Sequence, residues 1–178
     1  MLDKEEKNPL ISVEERKKVA ALLYVDGEKY FMKGKLDLSL ILFKESFVFD
    51  STRADTTFQL GKAYFKTASY GMAAKFFGRT IGLLTPAAAC NFIDENEGLY
   101  FSKLSKSELT GIGFELYLVG KRLYAKKQFD NALKILRKAL HYKSDQISVH
   151  RLLVQIYTQK GNKAKIAYHL RQIEKLRK

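Results

Sequence analysis

An all-α fold, a solenoid of helix-turn-helix hairpins closed by a capping C-terminal helix, is predicted by three observations. Apolar residues recur at helical spacing along most of the chain. A pattern of glycine, tyrosine, small residue and phenylalanine returns at an interval of thirty-four residues. The last segment is amphipathic, as the end of a stacked array must be if its outer side is to meet water. The clearest unit is Phe58–Pro86, FQLGKAYFKTASYGMAAKFFGRTIGLLTP. Such a hairpin cannot bury its apolar face alone and must stack on copies of itself.

Each element has its own signal. Residues 1–12 carry mixed charge and Pro9, and read as a flexible lead-in. Ser12 with Glu15 forms a capping box, so a first helix is expected from Val13 to about Met32, stopped by Lys33-Gly34-Lys35. A second runs from Leu36 to about Phe49. Asp50-Ser51-Thr52 supplies N-cap chemistry for a third, Arg53 to about Thr67. Ser69 opens a fourth that ends at Thr85-Pro86.

Self-comparison fixes the repeats. A shift of thirty-four puts Gly27, Tyr30, Phe31, Ser39, Phe43 and Ser46 on Gly61, Tyr64, Phe65, Ala73, Phe77 and Thr80. A shift of fifty-nine carries Gly61, Tyr64, Ala73 and Phe77 to Gly120, Leu123, Ala132 and Leu136, and a further thirty-four reaches Val154, Tyr157, Ile166 and Leu170. Residues 13–86 and 113–178 thus hold two repeats each, around an inserted segment, 87–112. That insertion carries Asp94, Glu95 and Glu97 and is expected to be helical, weakened at Gly98, packed in the stack rather than projecting as a lid. The last helix, Lys163 to Leu176, sets Ile166, Leu170, Ile173 and Leu176 against a basic side and reads as the end-cap.

This spacing, with Gly61, Tyr64, Ala73 and Phe77 at their offsets, resembles the tetratricopeptide repeat (TPR). The departures are the aromatic near the start of each first helix, here Leu23, Thr57, Leu116 and His150, and the loop proline, present only as Pro86. The resemblance implies a concave groove lined by the first helices. It also implies a non-enzymatic role in protein binding.

One stripe on those helices is not used by the hairpin crossing: Tyr24, Glu28 and Phe31; Phe58, Lys62 and Phe65; Tyr117, Lys121 and Tyr124. Each trio has the spacing i, i+4, i+7 of one helix face. With Lys66, these residues are the candidate groove for an apolar or aromatic peptide or helix of a protein partner. A chaperone-like or assembly role would follow, analogous in architecture to the class II chaperones of type III secretion. The TPR subclass that clamps a C-terminal carboxylate uses Lys, Asn, Asn, Lys and Arg. The corresponding residues here are Tyr24, Glu28, Gln59, Phe114 and Leu118, which disfavours that mode.

The net charge of +13 suggests a rival partner. Residues 101–178 hold eighteen Lys and Arg against five Asp and Glu, so the excess lies in the second half. Arg122, Lys126, Lys127, Lys134, Arg137 and Lys138 are the candidate contacts for nucleic acid or another polyanion, set against a plain solvated basic surface.

Other chemistry is not expected. His141, His150 and His169 lack metal-ligand spacing, the glycines form no phosphate loop, and Cys90 has no partner that would activate it. No cofactor, metal or catalytic residue is assigned. A single cysteine and a polar N-terminus fit a cytoplasmic protein, with a homodimer through the first helix as one assembly.

Overall fold

The computed structural model describes residues 11–143 and 145–178, and every regular element among them is helical. The expected lead-in at 1–12 therefore lies, up to residue 10, outside the described residues. The helices are α1 Val13–Met32, α2 Leu36–Phe49, α3 Ala54–Lys66, α4 Tyr70–Leu83, α5 Pro86–Asn96, α6 Lys106–Ala125, α7 Phe129–His141, α8 Gln146–Gln159 and α9 Lys163–Leu176, with a 3-10 turn at Phe101–Lys103. α6 begins inside the segment expected as insertion.

Local chemistry sets the boundaries. Ser12 Oγ accepts from the Glu15 amide while Glu15 accepts from the Ser12 amide, and Ser105 and Glu108 repeat this capping box before α6. Asp50 does not cap α3. It accepts instead from the Thr52 amide and hydroxyl, and Arg53 stands at the N-cap without a side-chain capping bond, its guanidinium paired with Asp55.

The turns between paired helices share one geometry. Gly34, Ala68, Lys127 and Gly161 all have φ between 50° and 71°, and they are spaced at the repeat shifts. The residue after each returns a hydrogen bond to a carbonyl on the last turn of the preceding helix: Lys35 to Tyr30, Ser69 to Tyr64, Gln128 to Leu123 and Asn162 to Tyr157. This is a Schellman-type stop, which favours glycine because the left-handed region crowds a Cβ.

Within hairpins, a missing Cβ lets a large side chain cross the first helix. A Cβ at Gly27 would lie 2.6 Å from Phe43, and one at Gly120 2.6 Å from Leu136. Phe43, Phe77 and Leu136 are fully buried. In the fourth hairpin Val154 takes the glycine's place, and Leu170 is left 46% exposed. Small hydroxyls seal the same seams: Ser46 donates to the Ala20 carbonyl at 2.8 Å, and Thr80 to Thr57 at 3.0 Å.

The two halves are not joined as successive hairpins are. Gly71 faces Glu108, Gly78 faces Glu115, and Arg122 donates to the Gly82 carbonyl at 2.8 Å. Residue numbers rise together along this contact, so α4 and α6 run parallel. The insertion makes this possible by adding one reversal. Its residues Phe92, Ile93, Phe101 and Leu104 are buried in the main core, and Glu97 accepts from the Tyr142 hydroxyl at 2.9 Å.

Candidate functional site

α1 and α3 lie side by side and present their unused stripes together. The Tyr24 hydroxyl and the Gln59 amide both donate to Glu28 Oε1 at 2.7 Å, and the Arg53 guanidinium lies 5.1 Å from the Tyr24 ring. Burial, helped by Glu28, pushes the Tyr24 phenol up to about 12. Phe31 is buried, and two ammonium groups roof its ring, Lys66 at 4.4 Å and Lys62 at 5.2 Å. Lys62 also stands 5.3 Å from Phe58, and partial burial lowers its pKa. Cations over aromatic faces at these distances are mutually attractive.

Phe58 and Phe65 are half-buried, and what covers them is the insertion. Tyr100 packs 5.1 Å from Phe65, 6.3 Å from Phe58 and 5.2 Å from Phe77, while Phe92 meets Phe58 edge-on at 5.0 Å. Lys103 adds a third ammonium, 5.8 Å from the Phe65 ring. In the first repeat, the equivalent Tyr24 faces Arg53 and Gln59 of the next first helix. In the second, Tyr100 and Phe92 take that place.

The α6 trio stands apart from these rings. Tyr117 pairs with Phe114 of its own helix at 6.2 Å, Tyr124 with Phe129 of α7 at 5.8 Å, and Lys121 is exposed. The aromatic residues therefore form two groups, one on α1 and α3 and one on α6.

The basic candidates divide similarly. Lys138 is ion-paired with Asp94 of α5, and Arg122 is held by the Gly82 carbonyl. Lys126 and Lys127 lie at the α6–α7 turn, and Lys134 and Arg137 are exposed on α7. Among the described residues, no group of three or more His, Cys, Asp and Glu could hold a metal ion, and no helix is long and apolar enough to cross a membrane. Burial raises the thiol pKa of the half-buried Cys90.

Sequence reasoning missed Tyr100 and Lys103, whose approach to α3 depends on how the insertion folds back. It also missed a contact between His150 and His169. A signal for that contact existed, since one repeat step back places these residues on Leu116 and Ile135, both wholly buried.

No family model matches the sequence, and no curated protein matches it. Among solved structures it is similar to MamA from Desulfovibrio magneticus RS-1, at 16% identity over 89% of this chain and 94% of that one, with a TM-score of 0.36. It is similar also to the first TPR of Spaghetti (RPAP3) bound to the HSP90 peptide SRMEEVD, at 17% identity over 82% and 95%, TM-score 0.33. A third is YrrB, a TPR protein with an unusual peptide-binding site, at 16% identity over 90% and 88%, TM-score 0.35. The deciding observation is internal: the glycine-to-ring crossings at Gly27 and Gly61 and the left-handed turns at Gly34 and Ala68 recur at one thirty-four-residue step. The chain is a TPR-like solenoid. In this TPR-like array the α1–α3 surface is where three ammonium groups, of Lys62, Lys66 and Lys103, gather over three neighbouring rings.

Proposed function

We propose that the chain is a non-enzymatic protein-interaction module that takes an apolar or aromatic segment of a partner on the α1–α3 surface. The observation that carries this reading is the set of three ammonium groups, Lys62, Lys66 and Lys103, standing over Phe31, Phe58 and Phe65. Half-buried rings supply apolar contact area at low entropic cost. Lysines that lie along them keep the surface wet until a partner displaces that water, and then offer charge for register. Tyr24 and Glu28, already joined by a hydrogen bond, form a rigid polar edge. Tyr117, Lys121 and Tyr124 form a second, separate contact area on α6.

Selection from a random peptide library on the immobilised chain tests this. Sequences bearing aromatic residues should be enriched. Their binding should persist at about 0.5 M salt, where the Debye length falls to a few ångströms and surface charge is screened. Phe65→Ala should weaken it by about tenfold or more, whereas the pair Lys62→Met, Lys66→Met, which keeps the apolar stems, should change which flanking residues are selected more than the affinity. Binding that instead collapses with salt and ignores Phe65→Ala would assign function to the basic α6–α7 surface.

A further inference from the structure

The TPR-like array ends in a pair of buried imidazoles that none of its other chemistry uses. His150 on α8 and His169 on α9 are each 7% exposed, and their Nδ1 atoms lie 2.9 Å apart. Tyr157 of α8 stacks flat on His169 at 5.5 Å, and Tyr168 meets it edge-on at 5.0 Å.

At this distance one Nδ1 must carry a proton and donate it to the lone pair of the other. A first added proton can leave that bond in place, but it creates a buried charge. A second puts an N–H on both facing nitrogens, so the bond is lost and two like charges meet. The surroundings offer no relief. The charges that bear on His169 are those of His150 itself once protonated and of two cations, Lys165 of α9 and Arg137 of α7, each of which opposes a proton on the ring.

We propose that the His150–His169 pair is an acid-operated latch on the C-terminal helix, holding α9 against α8 when both rings are neutral and releasing it when they are protonated. Release uncovers Tyr157 and His150 and leaves the solenoid without its polar end.

The direction follows from linkage. Burial, reinforced by the facing His150 and then by Lys165 and Arg137, lowers His169 from 6.5 to about 4, and burial lowers His150 as well. Once α9 is released, both rings return toward 6.5 and bind more protons. The stabilisation is therefore complete above about pH 6.5 and is lost as pH falls towards the folded-state value.

Amide hydrogen exchange on the full chain, corrected for the intrinsic chemical rate, is the test. Between pH 7.5 and about 5, the opening constant of α9 should rise on the order of tenfold, while α3 and α4 keep their protection. Equal protection of α9 at both pH values would overturn the latch. The apolar replacement His150→Leu with His169→Phe should flatten the pH dependence of α9, and a profile coinciding with wild type would also overturn it. If that variant does not fold, imidazole resonances of the wild-type chain decide. Both rings neutral at about pH 6 is the expected result, and either ring titrating at its ordinary value is the contrary one.

Discussion

A Cβ atom at Gly61 would lie 2.5 Å from Cε1 of Phe77, closer than any real carbon contact. Phe77 is fully buried and meets Phe58, Phe92, Tyr100 and Phe101, so its ring has no free direction in which to yield. Gly61→Ala should therefore destabilise by about 1–2 kcal/mol, the overpacking cost less the helix propensity regained. Gly111→Ala is the control, since Gly111 is an exposed position of α6 and nothing lies within 4 Å of its Cβ position. It should stabilise by about 0.5–1 kcal/mol. Urea unfolding of the two variants checks the opposite signs.

The hairpin turns make a second test. Ala68 at φ 55° and Lys127 at φ 58° carry side chains where Gly34 and Gly161 carry none. Replacing either by glycine should raise stability by about 0.5–1 kcal/mol, the left-handed strain relieved less the entropy added to the unfolded chain. Gly34→Ala should lower it by a similar amount. Thermal unfolding midpoints would show both shifts.

Phe101 should anchor the insertion. It is 1% exposed and contacts Phe77, Phe92 and Tyr142 at ring distances of 5.7 Å, 6.4 Å and 6.1 Å. Phe101→Ala should cost about 3–5 kcal/mol. The neighbouring Tyr100 is half-buried over Phe58 and Phe65, so Tyr100→Ala should cost less and bare those two rings. Denaturation of both variants, with binding of a hydrophobic dye to the second, separates the roles.

Capping supplies a pH-dependent case. Asp145 accepts from the Ser148 amide at 3.1 Å and from its hydroxyl at 2.6 Å, which holds its carboxyl below the ordinary value. The contribution to α8 is present above the unfolded carboxylate range and disappears as pH falls through the lowered folded value. Asp145→Ala should cost about 1 kcal/mol near neutrality and progressively less in acid. Unfolding at a series of pH values would trace the convergence.

Gly61 and Phe77 were legible in the sequence because hairpin packing demands the same pair at each step, and repetition turned a weak pattern into a firm one. Gly34 was legible as a stop for the same reason that it is needed, its positive φ. Ala68 and Lys127 occupy the same conformation and gave no sign, because tertiary packing overrides their local preference. The parallel contact of α4 with α6 was hidden for another reason. The length of an insertion does not say how many times the chain reverses within it, although Gly71, Gly78 and Gly82 on one face of α4 marked a close approach. The candidate groove residues were legible as helix faces. Their division into an α1–α3 group and an α6 group was not, since it depends on where Tyr100 and Phe92 come to rest. His150 and His169 were read for ligand spacing, whereas their repeat register was the informative property.

Because α4 and α6 point the same way, the bends at Gly34 and Ala68 lie at one end of the molecule and those at Lys127 and Gly161 at the other. The halves are thus two short arrays mounted head to tail. Duplication of a hairpin could lengthen either one by its own thirty-four-residue step. No such duplication could cross the joint, and excision of the insertion would remove the added reversal, so that α6 would meet α4 antiparallel, as successive hairpins meet, and lose its present contact with Gly71, Gly78 and Gly82. The insertion is in this sense a hinge of direction, and any new hairpin must grow outward from it.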